Sequence, residues 1–458
     1  MVSVIASSMH GESHKAWKRA TNKVSKRKCK SDCDRKRLIR LPQICIDFLD
    51  DVAKECLLDL GLFPENRKIC VDALLDIWVY VRKLQRHDAF AILSEFARRN
   101  LLNLTNNARG SRAIQHRNAP ELYFSQADGM RDLALYLRRQ YNILHPKRLV
   151  IERQYSSFLG KCELLNDRAI DTQILSIITS EYSVTLTRPM EENQWYDMTF
   201  PETEVLLIFF TSTEYVLPPF LKSMKKLKFL MVSNCGAKKA TVKGIDVMSS
   251  LTQLKSVRFE SLLSPLGEKQ SIEGLQNIEK LSMSLYEGFG NMSVFTKLKA
   301  FNLDHCSELE HLPLGIFNMP SILSLSITNC HLLQKLPDDF GNMSSLRMLR
   351  LSALTGLKEL PASIGKLGEL EYLDISACEG LKVLPKEIGK LKKLKEFDMR
   401  ECSRLKALPT TVCELSSLKL VICDEKIGKQ WLRARNISIP ELRVEIVEAH
   451  FSLDWLDD

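Results

Sequence analysis

The chain has 458 residues, 45% of them hydrophobic and 26% charged, with a formal net charge of +9 at pH 7. That length implies two or three domains, and that balance is typical of a globular chain. No stretch approaches the roughly 20 apolar residues of a membrane span, and the opening MVSVIASSMHGE lacks the basic and long apolar regions of a secretory signal, so the thirteen cysteines are expected as reduced thiols in the cytoplasm or the nucleus.

Residues 1–43 form a basic segment. Between Lys15 and Arg40 there are twelve Lys or Arg against Asp32 and Asp34 only. Such a run reads as a solvated linker, or as an arm that meets an anionic partner. Cys29 and Cys33 make a lone CxxxC without a second pair of ligands, so no metal is expected there.

Residues 44–145 read as a compact helical domain. Ile46, Leu49, Val52, Ala53, Cys56 and Leu57 recur at helical spacing before Pro64 breaks the chain. Val71, Leu74, Leu75 and Trp78 give a second helix; Phe90, Leu93, Phe96 and Ala97 give a third. Leu101, Leu102 and Leu104 then suggest a strand. Three helices followed by a strand is the order of a winged helix, a fold that often binds DNA. Residues 146–200 show no clear pattern and are assigned as a linker.

From residue 201 to 425 the chain repeats. Leu298, Ile322, Leu346, Leu370, Leu394 and Leu418 stand 24 apart, and each opens L-x-x-L-x-[LIM]-x-x-[CL]-x-x-L-x-x-L-P or a close variant. The inner L-x-L has the two-residue period of a strand, so its apolar side chains share a face that one short strand cannot bury alone. Stacking identical units closes a continuous core. The prolines after each Leu-Pro step (Pro313, Pro337, Pro361, Pro385, Pro409) end the inner turn because they lack an N–H. Ile316, Phe340, Ile364, Ile388 and Val412 follow on a short convex helix or extended turn. Cys306, Cys330, Cys378 and Cys402 share one slot with Leu354, and read as core thiols. Upstream the register decays, through Leu206, Leu230, Val257 and Leu281. Residues 426–458 are expected to cap the last repeat. The fold class is therefore α/β: a leucine-rich-repeat solenoid (horseshoe) preceded by a mostly helical winged-helix domain.

Residues between and after the core leucines face the concave side. Asn302, Asp304, His305, Arg350, Tyr372, Asp374, Glu396, Asp398 and Arg400 are the candidate partner-binding residues, with Tyr372, Arg350 and Arg400 as the best anchors. Ser324, Ser326, Thr328 and Met348 line the same face. No nucleophile–base pair or paired carboxylates are tied to a motif, so the chain is not expected to be an enzyme.

CLLDLGLFPENRKI (Cys56 to Ile69), Trp78 and NLLNL (Asn100 to Leu104) together resemble the winged-helix segment of plant nucleotide-binding leucine-rich-repeat immune receptors. LDLG before FPE, and the ending FSLDWLDD, resemble the helper class of the activated disease resistance type. The resemblance implies a role in plant innate immunity. It also implies protein partners: lipase-like immune signalling heterodimers, or full-length receptors that the chain would regulate. Intact receptors bind ADP or ATP through a P-loop. Here the Gly-Lys pairs at 160, 365, 389 and 428 are followed by Cys, Leu, Leu and Gln, so no phosphate cradle exists and no cofactor is expected. The resemblance thus implies an N-terminally truncated receptor whose residues 1–43 are the remnant of the last helical subdomain of the nucleotide module. Gln126, Ala127 and Asp128 stand where the family places its His-Asp nucleotide sensor, and Ala127 cannot donate the histidine's hydrogen bond. The alternative function is DNA binding by the winged helix with its basic arm.

Overall fold

The computed structural model describes residues 49–65, 67–106, 122–126, 130–141, 147–153, 169–179, 198–263, 275, 277–287, 292–313 and 315–447. The basic run, the CxxxC, Ala127, Asp128 and the C-terminal ending lie outside them. The chain divides into two units, Met1–Thr211 with Lys222–Val232, and Ser212–Leu221 with Ser233–Asp458.

In the first unit, α1 (Asp51–Leu60) starts where the Asp50 carboxylate accepts the Ala53 N–H at 2.7 Å, which satisfies one of the orphan donors of a first turn. It buries Ala53, Cys56, Leu57 and Leu60. Helices α2 (Val71–Arg82) and α3 (Arg86–Arg98) follow the short strand β1 (Ile69–Cys70). Trp78 and Phe96 meet edge to face at 6.2 Å between them. Strands β2 (Leu102–Asn106) and β3 (Leu122–Gln126) complete an antiparallel sheet in the order β1-β3-β2, and α4 (Met130–Tyr141) closes the domain. This is the three-helix-and-wing arrangement that the periodicity predicted.

The parallel ladder starts earlier than expected. Strands β4 (Arg148–Arg153), β5 (Ile174–Thr179) and β6 (Val205–Phe210) pair in parallel, with Arg148, Ile174 and Val205 in register. The segment assigned as a linker at 146–200 therefore contributes two ladder strands. Its spacings are irregular, 26 from residue 148 to 174 and 31 from 174 to 205, so no fixed period announces them. Strand β8 (Phe229–Asn234) stands next to β6 in the sheet order.

In the second unit, β10 (Ser256–Glu260), β12 (Lys280–Ser284), β13 (Ala300–Asp304), β14 (Ser324–Thr328), β15 (Met348–Ser352), β16 (Tyr372–Asp374), β17 (Glu396–Asp398) and β18 (Leu420–Asp424) pair in parallel one after another. Each strand of this series buries the apolar pair named by the repeat, from Val257 and Phe259 to Val421 and Cys423. Strands β7 (Glu214–Val216), β9 (Ala240–Lys243) and β11 (Leu262–Leu263) form a separate parallel sheet. Pro337, Pro361, Pro385 and Pro409, at φ of −73, −67, −67 and −66°, each launch a single 3-10 turn whose buried residue is Phe340, Ile364, Ile388 or Val412. The cysteine slot is structural. Cys378 and Cys402 donate to the Leu351 and Ile375 carbonyls of the preceding coil at 2.9 and 3.0 Å, and Leu354 is equally buried.

After the strands, His305, Asn329, Ala353, Ala377 and Glu401 adopt φ of 52 to 58°. A left-handed turn recurs at this position whatever residue occupies it. Replacing Ala353 by glycine, which takes that φ without steric cost, is expected to stabilise the chain by up to about 1 kcal/mol, partly offset by the freer unfolded chain. Chemical denaturation of both forms checks this.

The ladder also runs one strand past residue 425. Helix α5 (Glu425–Ser438) buries Ile427, Trp431 and Ala434, and β19 (Arg443–Val447) pairs in parallel with β18. The Trp431 ring meets Phe397 edge to face at 6.2 Å and its N–H reaches the Met399 sulfur at 3.3 Å. The end of the repeat core is thus closed by an aromatic that keeps its polar handle partnered.

Candidate functional site

The face of the ladder opposite the core carries three rows. Ala300, Ser324, Met348, Tyr372, Glu396 and Leu420 stand side by side in one; Asn302, Ser326, Arg350, Asp374, Asp398 and Ile422 in the next. Asp304, Thr328 and Ser352 begin the third. The register alone therefore brings the expected residues together. Between β12 and β15 the floor is small and mostly hydroxyl-bearing: Ser282, Ser284, Ser326, Thr328 and Ser352 are buried against their neighbours. Among the described residues the Ser326 hydroxyl has no hydrogen-bond partner.

From β15 onward the face becomes charged. Arg350 pairs with Asp374 at 2.9 Å, one coil along, and donates to the Tyr372 hydroxyl at 3.2 Å. Its guanidinium lies 5.8 Å from the Tyr372 ring centroid, within reach of a cation–π contact. The Tyr372 hydroxyl donates in turn to Asp374 at 3.4 Å. Arg400 clasps Asp398 within its own coil at 2.6 to 3.2 Å, with two side-chain nitrogens and its backbone N–H. Burial, and the Asp374 charge beside it, push the Asp398 carboxyl up, against the pull of Arg400. Burial and Asp374 also push the Tyr372 phenol up. Asp304 is a third node: it accepts from Thr328 at 2.7 Å and Asn329 at 3.0 Å, and lies 2.9 Å from His305.

Arg350 and Arg400, read from sequence as anchors for a partner, are thus buried in ion pairs of the chain itself, with side chains 6 and 11% exposed. Tyr372 and Glu396 remain half-buried at the surface. Truncating either arginine would orphan a buried carboxylate. Added bulk on the floor, at Ser324 or Ser326, therefore probes the face more cleanly than arginine-to-alanine changes.

In the first unit, Gln126 of the sensor position donates to the Leu60 carbonyl at 2.7 Å. The Leu62 carbonyl accepts the Ser176 hydroxyl at 2.6 Å and the Phe63 carbonyl accepts Arg131 at 2.7 Å. The LDLGLFPE segment is thus a hub of backbone acceptors. Beside it, Asp59 binds Arg148 at 2.5 Å and Arg82 at 2.8 Å, and Glu55 binds Arg148 at 2.8 Å. Sequence reasoning flagged the segment only by resemblance; the residues that read it are up to 114 positions away.

The third helix of a DNA-binding winged helix needs cations free for phosphates. Here Arg86 is held by Asp72 and Asp76 and Arg99 by Glu95, while the Arg98 side chain, paired with Glu95, is 77% exposed. Among the described residues no cluster of His, Cys, Asp or Glu is placed to hold a metal, and no helix is long and apolar enough to cross a membrane.

No family model matches the chain. It is 38% identical to Probable disease resistance protein At4g33300 of Arabidopsis thaliana, over 70% of this chain and 39% of that one. It is 32% identical to Disease resistance protein ADR1 of the same plant, over 71% of this chain and 41% of that one. Probable disease resistance protein At5g66890, also of Arabidopsis thaliana, is 32% identical over 62% of this chain and 67% of its own length. The chain thus spans about two fifths of the length of the first two relatives. Among solved structures, the leucine-rich repeat domain of the type III effector XopL is 21% identical, over 47% of this chain and 74% of that one, with a TM-score of 0.40. The leucine-rich-repeat reading stands on the chain's own 24-residue register and parallel ladder.

Proposed function

The chain belongs to the family of plant disease resistance proteins, and from that premise we propose that it is a defence protein that works as a protein-binding scaffold, docking partners on the concave face of its repeats. The observation that carries this reading is the floor of small hydroxyl residues from Ser282 to Ser352, which adjoins a charged wall at Arg350, Tyr372 and Asp374. A rigid floor of small polar residues with the half-buried Tyr372 as an aromatic step suits recognition of a protruding element on another protein. The buried ion pairs hold the wall in one arrangement, so little side-chain entropy is lost on docking.

The partners that the family resemblance suggests are a lipase-like immune signalling heterodimer or a full-length receptor of the same family. The cytoplasm, with the nucleus as the alternative, is where such an encounter would occur. No catalytic step is proposed, and no nucleotide is required: an ADP titration of the chain is expected to give no binding heat.

The reading is tested with a purified lipase-like heterodimer and Ser324→Arg, which places a long side chain on the floor while leaving the core leucines in place. Binding is expected to weaken at least about tenfold. Unchanged affinity with a folded variant would remove the concave face as the docking surface.

A further inference from the structure

Ten residues beyond Ser324, Met348, Tyr372 and Glu396 of the concave strands, four consecutive coils come side by side again. The Lys358 N–H donates to the Gln334 carbonyl at 3.4 Å, and the Lys382 N–H to the Lys358 carbonyl at 3.2 Å. Glu359 and Val383 are parallel bridge partners. Gln430 of α5 continues the series: its side-chain amide accepts the Leu408 N–H at 2.9 Å and donates to the Lys406 carbonyl at 3.1 Å. These bonds make a strip two residues wide, Gln334–Lys335, Lys358–Glu359, Lys382–Val383 and Lys406–Ala407, with all eight residues exposed. It carries four lysines against one carboxylate, Glu359. None of the four lysines has an ion pair among the described residues. Just before β17 the chain arranges its lysines differently: Lys392, Lys393 and Lys395 are paired with Glu414, Glu369 and Glu371 of neighbouring coils. On the strip the register instead sets Lys358, Lys382 and Lys406 in one row, and like charges in adjacent strands repel. In the midst of these cations Val383 is 57% exposed, an apolar side chain that nothing in the repeat core requires there.

We propose that this strip is a second docking surface, which takes a helix of a partner protein that carries Asp or Glu once per turn on one face and an apolar residue over Val383. Spacing selects a helix. Successive coils of a ladder lie about 4.8 Å apart, and a helix advances about 5.4 Å per turn, so over four coils the carboxylates stay within about 2 Å of step with the lysines. An extended segment presents same-side residues about 6.8 Å apart and would run about 6 Å out of step over the same distance. The lysines keep flexible, solvated ends, so the attraction is long-range, steered and salt-sensitive. The strip lies off the concave face, so its occupancy is independent of the docking reading above, and both surfaces can be filled at once.

The test uses the full chain and a synthetic alanine-based helical peptide with glutamates at i, i+4, i+7 and i+11 and one leucine beside them, followed by fluorescence anisotropy at low and at physiological salt. The expected result is saturable binding that weakens with salt. Lys358→Glu with Lys382→Glu is expected to weaken it at least about tenfold. Lys366→Glu with Lys419→Glu makes the same change of charge at exposed positions on a 3-10 turn and before β18, and leaves binding nearly unchanged. Equal loss in the two double variants would overturn the proposal, as would equal affinity for a peptide of the same composition whose glutamates are spread around the helix. Phosphatidylserine vesicles that bind through Lys358 and Lys382 where the peptide does not would overturn it too, by assigning the strip to a lipid surface. Ser324→Arg is expected to leave peptide binding intact, so that the strip and the concave face stand or fall separately.

Discussion

Asp59→Ala is expected to destabilise the first unit by about 3–5 kcal/mol, the cost of stripping the partner from a buried charge. Asp59 is fully buried; it accepts from Arg148 at 2.5 Å and from Arg82 at 2.8 and 3.2 Å. Arg148 is 1% exposed and opens the first ladder strand. Without Asp59 its guanidinium keeps Glu55, at 2.8 Å, as its one carboxylate partner among the described residues. Denaturant unfolding followed by hydrogen exchange of the α1 and β4 amides measures the loss. The double variant Asp59→Asn, Arg148→Met separates charge from packing: it should be less destabilised than the sum of its single changes, since no charge is left stranded. The network also sets an acid limit. Burial pushes the Glu55 carboxyl up, but the charges and hydrogen bonds of Arg148 and Arg82 hold it, on balance, below the usual carboxylate range. A carboxyl lowered in the folded state contributes stability that is present above its unfolded value and lost as pH falls through its folded value. The first unit is therefore expected to lose stability progressively below about pH 4.

Gly389→Ala is expected to cost about 2–3 kcal/mol, near the top of the range for overpacking. A Cβ there would stand 2.3 Å from the Thr411 carbonyl oxygen of the next coil. Gly365 and Gly341 repeat the situation against the Glu387 and Ser363 carbonyls, at 2.7 and 2.4 Å. The 24-residue column of glycines is what lets successive 3-10 turns stack backbone on backbone. The clash is with main chain, which no rotamer change can relieve, so the coils must part. Because a solenoid is held by nearest-neighbour contacts, hydrogen exchange should rise in the coils that flank residue 389 and remain unchanged around Asp59. Uniform loss of protection would contradict the column's local role.

The repeats were legible in the sequence because their geometry is periodic. Leucine spacing gave the strands from β13 to β18, their facing and their register. Arg350 was read as an anchor for a partner and its pairing with Asp374 was missed, although residues 24 apart are neighbours across the ladder. The Asp398–Arg400 clasp was less legible, because residues two apart on a strand share a face without touching in general. Strands β4 and β5 were missed: insertions had erased their period, and ILSIIT reads as a buried apolar run with no repeat signature. The Asp59–Arg148 contact spans 89 positions and has no sequence signal at all. Gln126 was read through a family motif as part of a degenerate sensor, and its hydrogen bond to the Leu60 carbonyl, 66 positions away, had no sequence signal.

Calorimetric titration of the chain with a purified lipase-like heterodimer decides whether the repeats present a docking face. The expected result is saturable binding that Ser324→Arg weakens at least about tenfold and that Asp338→Asn with Asp339→Asn leaves intact. No binding, or binding that both variants retain equally, would contradict it.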